Sequence, residues 1–275
     1  MRRRPEGWVP PGPVPPGAEA PWRQPGPGET LDCLAGHWRI FQLRRGHRYS
    51  TDDLLTAWYA AREAERSGVT PGRCLDLGCG IGSVGLLLLW KFPRLRFVGV
   101  EAQEISAALA RRSIAYNGAA DRAEIRAADF RDPAALRPGE AFDVVTGSPP
   151  YLTAGEGRRS PLPQRGPCRF EDRGGAQAYL EVAGERLVER GFTVWVHASR
   201  YREENLEDSR SAGLGRIRLR PVLFREGRQS LITLFCARRG PPEEPVEDEP
   251  LVVRTRSGAW SQQYRQVRRE MGFPV

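Results

Sequence analysis

The stretch Leu75-Asp76-Leu77-Gly78-Cys79-Gly80-Ile81-Gly82 decides the fold. Its apolar first part is typical of a buried strand over residues 74–77, and a helical pattern over residues 82–90 follows directly. Glycines are needed between the two elements because the chain must turn sharply there and let a ligand approach the backbone. The stretch therefore predicts a strand, a ligand-binding loop and a helix in succession.

The same alternation continues along the chain. Continuous apolar runs indicate strands at residues 97–100, 142–146, 192–196 and 230–236, and helical patterns occupy residues 104–116 and 174–189. Buried strands that alternate with helices are typical of a parallel sheet covered on both faces. Residues 225–230 alone join the last two strand candidates, 217–224 and 231–236, so these must form an antiparallel hairpin. We predict a Rossmann-like α/β fold, with helices on both faces of a mostly parallel seven-stranded sheet that ends in an antiparallel C-terminal hairpin. This is the arrangement of class I methyltransferases.

Proline and glycine mark the limits of this domain. Nine prolines precede Glu29 and are interleaved with glycines, a composition that forms neither a helix nor a strand ladder. We expect a disordered tail over residues 1–28 and the main domain over residues 29–240, with an N-terminal extension at 29–70. Residues 241–275 are expected to form a linker, followed by a strand and a helix packed on the domain.

Composition restricts the location and the partner of the protein. The chain of 275 residues has no apolar run of the roughly 20 residues that cross a bilayer, and no apolar segment follows its basic N-terminus. Its five cysteines form no disulfide or zinc-binding pattern, so we expect a cytoplasmic protein with reduced thiols and no membrane contact. The formal charge of +8 favours a polyanionic partner such as nucleic acid.

Two cofactor classes use a glycine loop of this kind. Gly80, Gly82 and Gly85 satisfy the dinucleotide pattern G-x-G-x-x-G, with Glu101 placed to hold ribose hydroxyls, which would make the protein an NAD-dependent oxidoreductase. However, Asp76 precedes the first glycine of the loop by two residues, where a carboxylate would repel a pyrophosphate and suits the ammonium of methionine. The loop resembles motif I of S-adenosylmethionine-dependent methyltransferases.

Two further acids follow predicted strands. Glu101 ends the second strand and can accept hydrogen bonds from both ribose hydroxyls. Asp129-Phe130 follows an alternating stretch at residues 123–128, and the resemblance implies that this acid contacts the adenine amine of the cofactor. His37 and His197 stand apart from these motifs, and we interpret them as structural or exposed side chains.

The sequence Ser148-Pro149-Pro150-Tyr151 directly after the strand at residues 142–146 indicates the substrate. It resembles the (Asn/Asp/Ser)-Pro-Pro-aromatic signature of methyltransferases that act on planar amines. Such an amine is a poor nucleophile because its lone pair is delocalised into the ring. A side-chain oxygen and a rigid backbone carbonyl that accept its two N–H bonds concentrate the lone pair on nitrogen, and the aromatic ring stacks on the base.

Blocks on both sides of these motifs narrow the resemblance to one family. Leu31-Asp32-Cys33-Leu34, Ile40-Phe41-Gln42 and the block Tyr49-Ser50-Thr51-Asp52-Asp53-Leu54-Leu55 resemble, in order and spacing, the start of bacterial tRNA(Val) adenine-N6 methyltransferases. Leu251-Val252-Val253-Arg254 and Trp260-Ser261-Gln262-Gln263-Tyr264 resemble the closing strand and helix of that family. The resemblance implies transfer of a methyl group from S-adenosylmethionine to the N6 amine of adenine at position 37 of a valine tRNA.

The residues and the resemblance together assign three groups of site residues and imply no metal and no obligate protein partner. The catalytic group is Ser148, Pro149, Pro150 and Tyr151. The cofactor group is Tyr49, Thr51, Asp52, Asp76, Gly78, Gly80, Gly82, Glu101, Asp129, Phe130 and Ser148, with Thr51 and Asp52 in a turn over the methionine end. The group for the RNA substrate is Arg44, Arg45, His47, Arg158, Arg159 and Arg165.

One departure keeps alternatives open. The family usually has Asn where this chain has Ser148, and Ser-Pro-Pro-Tyr is familiar in DNA amino-methyltransferases that act on cytosine. Methylation of an exocyclic amine is compatible with either residue, so the identity of the base is less secure. A protein-glutamine methyltransferase, the NAD-dependent oxidoreductase and a catalytically inactive RNA-binding module remain alternative interpretations.

Overall fold

A computed structural model describes residues 4–16, 24–151, 164 and 175–275 of the chain. An antiparallel hairpin of β1 (Glu29–Cys33) and β2 (Arg39–Leu43) precedes the main sheet. The elements of the main domain are, in chain order, α1 (Thr51–Ser67), β3 (Arg73–Leu77), α2 (Ser83–Lys91), β4 (Arg96–Glu101), α3 (Glu104–Tyr116), β5 (Ala123–Ala127), β6 (Phe142–Gly147), α4 (Ala176–Arg186), β7 (Leu187–Ala198), α5 (Arg202–Ser211), β8 (Arg216–Leu223), β9 (Ile232–Arg238), β10 (Val246–Glu247), β11 (Leu251–Val252) and α6 (Gln262–Glu270).

The main sheet has the predicted topology. Its strand order is β10-β8-β9-β7-β6-β3-β4-β5, with β11 also paired to β8. Strands β7, β6, β3, β4 and β5 are parallel to one another, whereas β9 runs antiparallel to both β7 and β8. The seven predicted strands and the antiparallel hairpin are therefore confirmed. The sheet has nine strands because β10 and β11, of two residues each, join β8.

Two local predictions were wrong. The helix expected over residues 174–189 ends at Arg186, because Leu187 already pairs with Phe142 in the sheet. Thr51 and Asp52, expected in a turn, form the first turn of α1. The Ser50 side chain accepts a hydrogen bond from the Asp52 N–H (3.2 Å), and the Asp53 carboxylate accepts one from the Ser50 N–H (2.8 Å). This reciprocal pair is a capping box, which starts a helix at Thr51.

The glycine loop between β3 and α2 adopts a backbone conformation that requires glycine. Gly78, Gly80 and Gly82 have φ values of 59°, 56° and 78°, in the left-handed region that other residues rarely adopt. A side chain at Gly78 would also collide with the Tyr179 hydroxyl, 2.4 Å from an added Cβ. The loop therefore lies tight against the ends of the strands.

Helices cover both faces of the sheet, as predicted. Helices α1, α2 and α3 bury one face together with the β1–β2 hairpin, and α4 and α5 bury the other. On this second face, Trp195 and Phe235 stack with ring centroids 5.0 Å apart. Because both faces are covered, a ligand can reach the sheet at the carboxyl ends of the parallel strands, where loops from several elements meet.

The C-terminal segment packs against the domain. β11 adds to the edge strand β8, and the Trp58 indole on α1 donates a hydrogen bond to Glu270 on α6 (2.6 Å). Residues 4–16 contain no helix or strand, and the division of the chain into tail, domain and linker stays a prediction. Within the described ranges, no helix has both the length and the apolar composition that a bilayer crossing requires.

Candidate active site

A cavity of about 640 Å³ lies at the carboxyl ends of the parallel strands. This volume is in the range of small-molecule and cofactor sites. Its walls come from the glycine loop, the ends of β4 and β6, the start of α1 and the β8–β9 hairpin. The cavity therefore brings together most of the residues that the sequence assigned to one site.

The glycine loop and Glu101 form one wall. The Glu101 carboxylate accepts hydrogen bonds from the Gly80 N–H (2.8 Å) and the Gln103 N–H (2.7 Å). The Cys79 N–H donates to the carbonyl of Val100 at the end of β4 (3.0 Å). These bonds fix the loop and the acid relative to each other, so the cavity is formed before any ligand binds.

Asp76 lies behind this wall, fully buried at the end of β3. Its Oδ1 accepts a hydrogen bond from the Thr146 hydroxyl (2.7 Å), whereas Oδ2 is buried without a partner among the described residues. Burial, together with the negative charges of Asp53 and Glu101, raises the pKa of Asp76 to about 7. A buried carboxylate oxygen that accepts no hydrogen bond lowers the stability of the folded protein. This position therefore favours a cationic ligand group that can donate one.

Two more acids enter the cavity from the start of α1. Burial and the neighbouring Asp53 charge raise the pKa of Asp52 to about 6, and burial raises the pKa of Asp53 to the same value. Within the part of the chain that the structure describes, no lysine or arginine forms a salt bridge with Asp52, Asp53 or Asp76. This end of the cavity is therefore acidic, and none of its three carboxyl groups is neutralised by a salt bridge within the described residues.

The two residues assigned to the adenine of the cofactor lie together in the cavity wall. Asp129 and Phe130 line the cavity, and the Asp129 carboxylate accepts hydrogen bonds from Arg131 Nε (3.0 Å) and Nη2 (2.6 Å). Phe130 packs edge-on against Tyr179, with ring centroids 4.5 Å apart. Tyr179 also lines the cavity, but a lone tyrosine on a helix belongs to no motif that would predict a site residue.

Several assigned cofactor residues lie outside the cavity wall. Tyr49, Thr51, Asp76 and Gly82 do not line it. The Tyr49 hydroxyl instead donates to the Cys33 carbonyl of the β1–β2 hairpin (3.1 Å). Their roles in cofactor binding stay predictions. Asp76 remains a candidate cofactor-binding residue because one of its buried carboxylate oxygens has no partner among the described residues.

The Ser148–Tyr151 turn forms the opposite wall. All four of its residues line the cavity directly after β6. The Tyr151 hydroxyl donates to Asp52 Oδ2 (2.9 Å), and burial raises the pKa of Tyr151 well above its usual value, so the phenol keeps its proton. This bond joins the target-side turn to the first turn of α1.

Behind this turn lies His197, for which the sequence predicts a structural or exposed side chain. It is buried, with Nε2 3.1 Å from the Pro150 carbonyl oxygen and Nδ1 2.8 Å from the Asn205 side-chain nitrogen. The Tyr151 ring packs edge-on against the imidazole, with ring centroids 5.5 Å apart. Burial lowers the pKa of His197, so the ring is neutral at pH 7.

The assigned substrate residues fall into two groups. Arg44 and Arg45 are exposed between β2 and α1, and His47 lines the cavity. The His47 N–H donates to the side chain of Gln164 (2.8 Å). Arg158, Arg159 and Arg165 lie outside the described residues, so their assignment stays a prediction. Among the described residues, no group of three or more His, Cys, Asp and Glu side chains is placed to hold a metal ion.

Comparison with solved structures defines the class of the fold. A predicted O-methyltransferase from Agrobacterium tumefaciens superposes with a TM-score of 0.60 at 19% identity, over 82% of this chain and 98% of that one. A second S-adenosylmethionine-dependent methyltransferase from the same organism gives a TM-score of 0.55 at 16% identity, over 77% of this chain and 70% of that one. The chain has the class I methyltransferase fold, as the sequence predicted.

Sequence comparison narrows the class. Residues 62–160 match the family model for the methyltransferase small domain. The tRNA1(Val) (adenine(37)-N6)-methyltransferase of Porphyromonas gingivalis is 31% identical over 146 residues, which are 52% of this chain and 56% of the relative. The enzyme of the same name from Vibrio cholerae is 25% identical over 82% of this chain and 88% of its own length. The match to the first of these relatives spans little more than half of that relative's length. The resemblance to this group of enzymes that the motifs predicted is confirmed.

Proposed function

We propose that this protein is an S-adenosylmethionine-dependent methyltransferase that methylates the N6 amine of adenine in tRNA. The observation that carries the proposal is that the Ser148–Tyr151 turn and the glycine loop face one cavity. The relatives named as tRNA1(Val) (adenine(37)-N6)-methyltransferases support adenine as the base and position 37 as its place. We place the activity in the cytoplasm, where tRNA is found.

The residues at the acidic end of the cavity fit S-adenosylmethionine. The cofactor carries an ammonium and a sulfonium, and the buried Asp76 Oδ2 lacks a donor among the described residues. Glu101 lies where it can hold the ribose, and Asp129 and Phe130 where they can hold the adenine. When bound, the cofactor would supply a methyl group on a positively charged sulfur. Transfer from such a sulfur needs positioning more than acid–base help.

The target end of the cavity can hold and activate an amine. The Ser148 hydroxyl and the Pro149 carbonyl can accept the two N–H bonds of the target, which localises the lone pair on nitrogen. The proline rings restrict the turn, so the carbonyl does not have to reorient when the base arrives. The Tyr151 ring, held by Asp52 and His197, offers an aromatic face or edge to a base that has left its stack.

Two basic segments adjoin the cavity. In the segment between β2 and α1, His47 lines the cavity, and Arg44 and Arg45 are exposed. In the second, the β8–β9 hairpin carries Phe224, Leu231 and Ile232, which line the cavity, and Leu231 is 64% exposed. Exposed arginines accompany these residues on the hairpin tip and on the adjoining loop after β11, namely Arg225, Arg228, Arg254 and Arg256.

The second basic surface is ordered by hydrogen bonds between its two loops. The Glu226 N–H donates to the Arg254 carbonyl (2.8 Å), and the Arg256 N–H donates to the Glu226 carboxylate (3.1 Å). Among the described residues, none of the four arginines of this surface forms a salt bridge. We assign these two surfaces to the phosphates on either side of the target nucleotide, because exposed guanidinium groups bind phosphates well.

The test is incubation of the purified protein with labelled S-adenosylmethionine and unfractionated tRNA, followed by nucleoside mass spectrometry. We expect label in N6-methyladenosine and none in methylated cytidine. Label that enters DNA or a protein glutamine in preference to tRNA would replace the proposed substrate. Stabilisation of the fold by NADH and not by S-adenosylhomocysteine in a melting assay would refute the cofactor.

A further inference from the structure

We propose that His197 is a positioning residue that makes Pro149, and not Pro150, the backbone acceptor for the target amine. The inference rests on the proposed function, since it concerns how the same site orients its substrate. Its basis is a buried chain of hydrogen bonds that runs from Trp195 through Asn205 and His197 to the Pro150 carbonyl.

The direction of this chain follows from its first member. The Trp195 indole N–H can only donate, and it donates to the Asn205 side-chain oxygen (2.7 Å). The Asn205 nitrogen is therefore the atom beside His197 Nδ1 (2.8 Å), and it also donates to the Tyr201 carbonyl (2.8 Å). Because an amide nitrogen donates, Nδ1 must accept and carries no proton.

The tautomer of His197 then decides what happens at the turn. A neutral imidazole without a proton on Nδ1 carries it on Nε2, and this N–H donates to the Pro150 carbonyl (3.1 Å). The Pro150 oxygen thus has a fixed partner on the side of the protein. A target amine is directed to the Ser148 hydroxyl and the Pro149 carbonyl, which defines one orientation of the base.

Packing holds the imidazole in this role. His197 is buried between two tyrosines, with Tyr201 stacked at 5.3 Å and Tyr151 edge-on at 5.5 Å between ring centroids. The same imidazole thereby positions both the carbonyl of Pro150 and the ring that would meet the base. Loss of His197 should therefore misorient the bound base more than it weakens binding.

The kinetic test compares His197→Ala with His197→Gln, whose side-chain amide can still donate to the Pro150 carbonyl. We expect the alanine variant to lower kcat about tenfold or more, while the KM for RNA and the Kd for S-adenosylmethionine change less than about twofold. The glutamine variant should recover most of the loss. Thr193→Val is the matched control, because Thr193 is buried on the same strand and is not part of the chain of hydrogen bonds.

The spectroscopic test needs no methyl transfer. In ¹⁵N spectra of histidine side chains, the signals assigned by the His197→Gln variant should show an unprotonated Nδ1 and a protonated Nε2, and Asn205→Ala should disturb this pattern. A proton on Nδ1, or an alanine variant that is folded and has full kcat, would overturn the proposal. A wild-type protein that shows the expected tautomer and methylates no RNA would instead refute the proposed function, so the two failures are distinguishable.

Discussion

The two ends of the cavity solve opposite electrostatic problems. The end at the glycine loop gathers the buried carboxylates of Asp52, Asp53 and Asp76, whose pKa values rise to about 6, 6 and 7. The end at Ser148 carries the uncharged groups of the Ser148–Tyr151 turn and the Arg200 guanidinium, which donates to the Tyr151 carbonyl (3.1 Å). A site that takes a cation from one side and a polyanion from the other needs this separation, because each charge would repel the other's ligand.

The two ends of the cavity also differ in whether their buried polar groups all have hydrogen-bond partners. The chain from Trp195 to Pro150 leaves none of its members unpaired, whereas Asp76 keeps one buried oxygen without a donor among the described residues. A satisfied network fixes geometry, and an unsatisfied group creates a demand for a ligand. The target end is therefore suited to positioning, and the acidic end to binding.

The largest effect is expected from Asp76→Asn, which removes the charge but keeps an oxygen to accept from Thr146. Loss of a charge-assisted hydrogen bond of about 1.5–3 kcal/mol should weaken S-adenosylmethionine binding about 10- to 150-fold in calorimetry. Asp121→Asn, an exposed acid next to β5, is the matched control and should leave the affinity unchanged. Equal affinities for wild type and Asp76→Asn would remove the acidic end from the site.

A smaller effect is expected from the double variant Arg225→Ala, Arg256→Ala at the other end. Each lost phosphate contact should flatten the slope of log affinity for RNA against log salt by about 0.7, and the pair by about 1.4. Arg94→Ala, Arg96→Ala is the control, because these exposed arginines lie at the amino end of β4, away from the cavity. If both double variants keep the wild-type slope, the hairpin surface does not contact the RNA backbone.

The raised pKa of Asp76 at the acidic end should also make the stability of the apoprotein depend on pH. The pKa of Asp76 is about 7 in the folded protein and near 3.9 in an unfolded chain, so folding takes up a proton between these values. This carboxyl therefore makes the apoprotein less stable as pH rises from 6 to 8. His197, whose pKa is lowered, acts in the opposite direction, so wild type must be compared with Asp76→Asn.

Thermal melts without cofactor at pH 6 and pH 8 measure this difference. Wild type should lose more stability than Asp76→Asn over the interval, by an amount on the order of a few degrees in Tm. The asparagine variant should be the more stable protein at pH 8, because it no longer buries a charge. Parallel changes in the two proteins would mean that the ionisation of Asp76 does not change between pH 6 and pH 8 in the folded protein.

The smallest effect is expected at Ser148. Ser148→Asn restores the longer side-chain carbonyl that the family usually has, and the acceptor for the target amine is kept. Activity on tRNA should therefore stay within about threefold of wild type or rise, whereas Ser148→Ala should lose about 0.5–1.5 kcal/mol of transition-state stabilisation. Equal initial rates for wild type and Ser148→Ala under single-turnover conditions would show that the hydroxyl does not hold the amine.

The sequence predicted those parts of the site that are continuous in the chain. The glycine loop and the Ser148–Tyr151 turn each follow a strand directly, so a local motif was enough to place them. The Tyr151–Asp52 and His197–Pro150 bonds join residues 99 and 47 positions apart, and only the folded sheet brings these together. The strand β10 was not predicted because two residues carry no periodicity, whereas β11 lies within the closing strand at residues 251–254 that the resemblance implies.

The most direct measurement of the central claim uses an anticodon stem-loop RNA with a single change at position 37. We expect the protein to transfer a methyl group when that base is adenine, and to lose transfer but keep RNA binding when it is purine, which lacks the exocyclic amine. The same RNA with cytosine at this position should react much more slowly than the adenine form. Equal transfer to the adenine and purine RNAs would contradict the claim that this cavity holds an exocyclic amine beside the methyl donor.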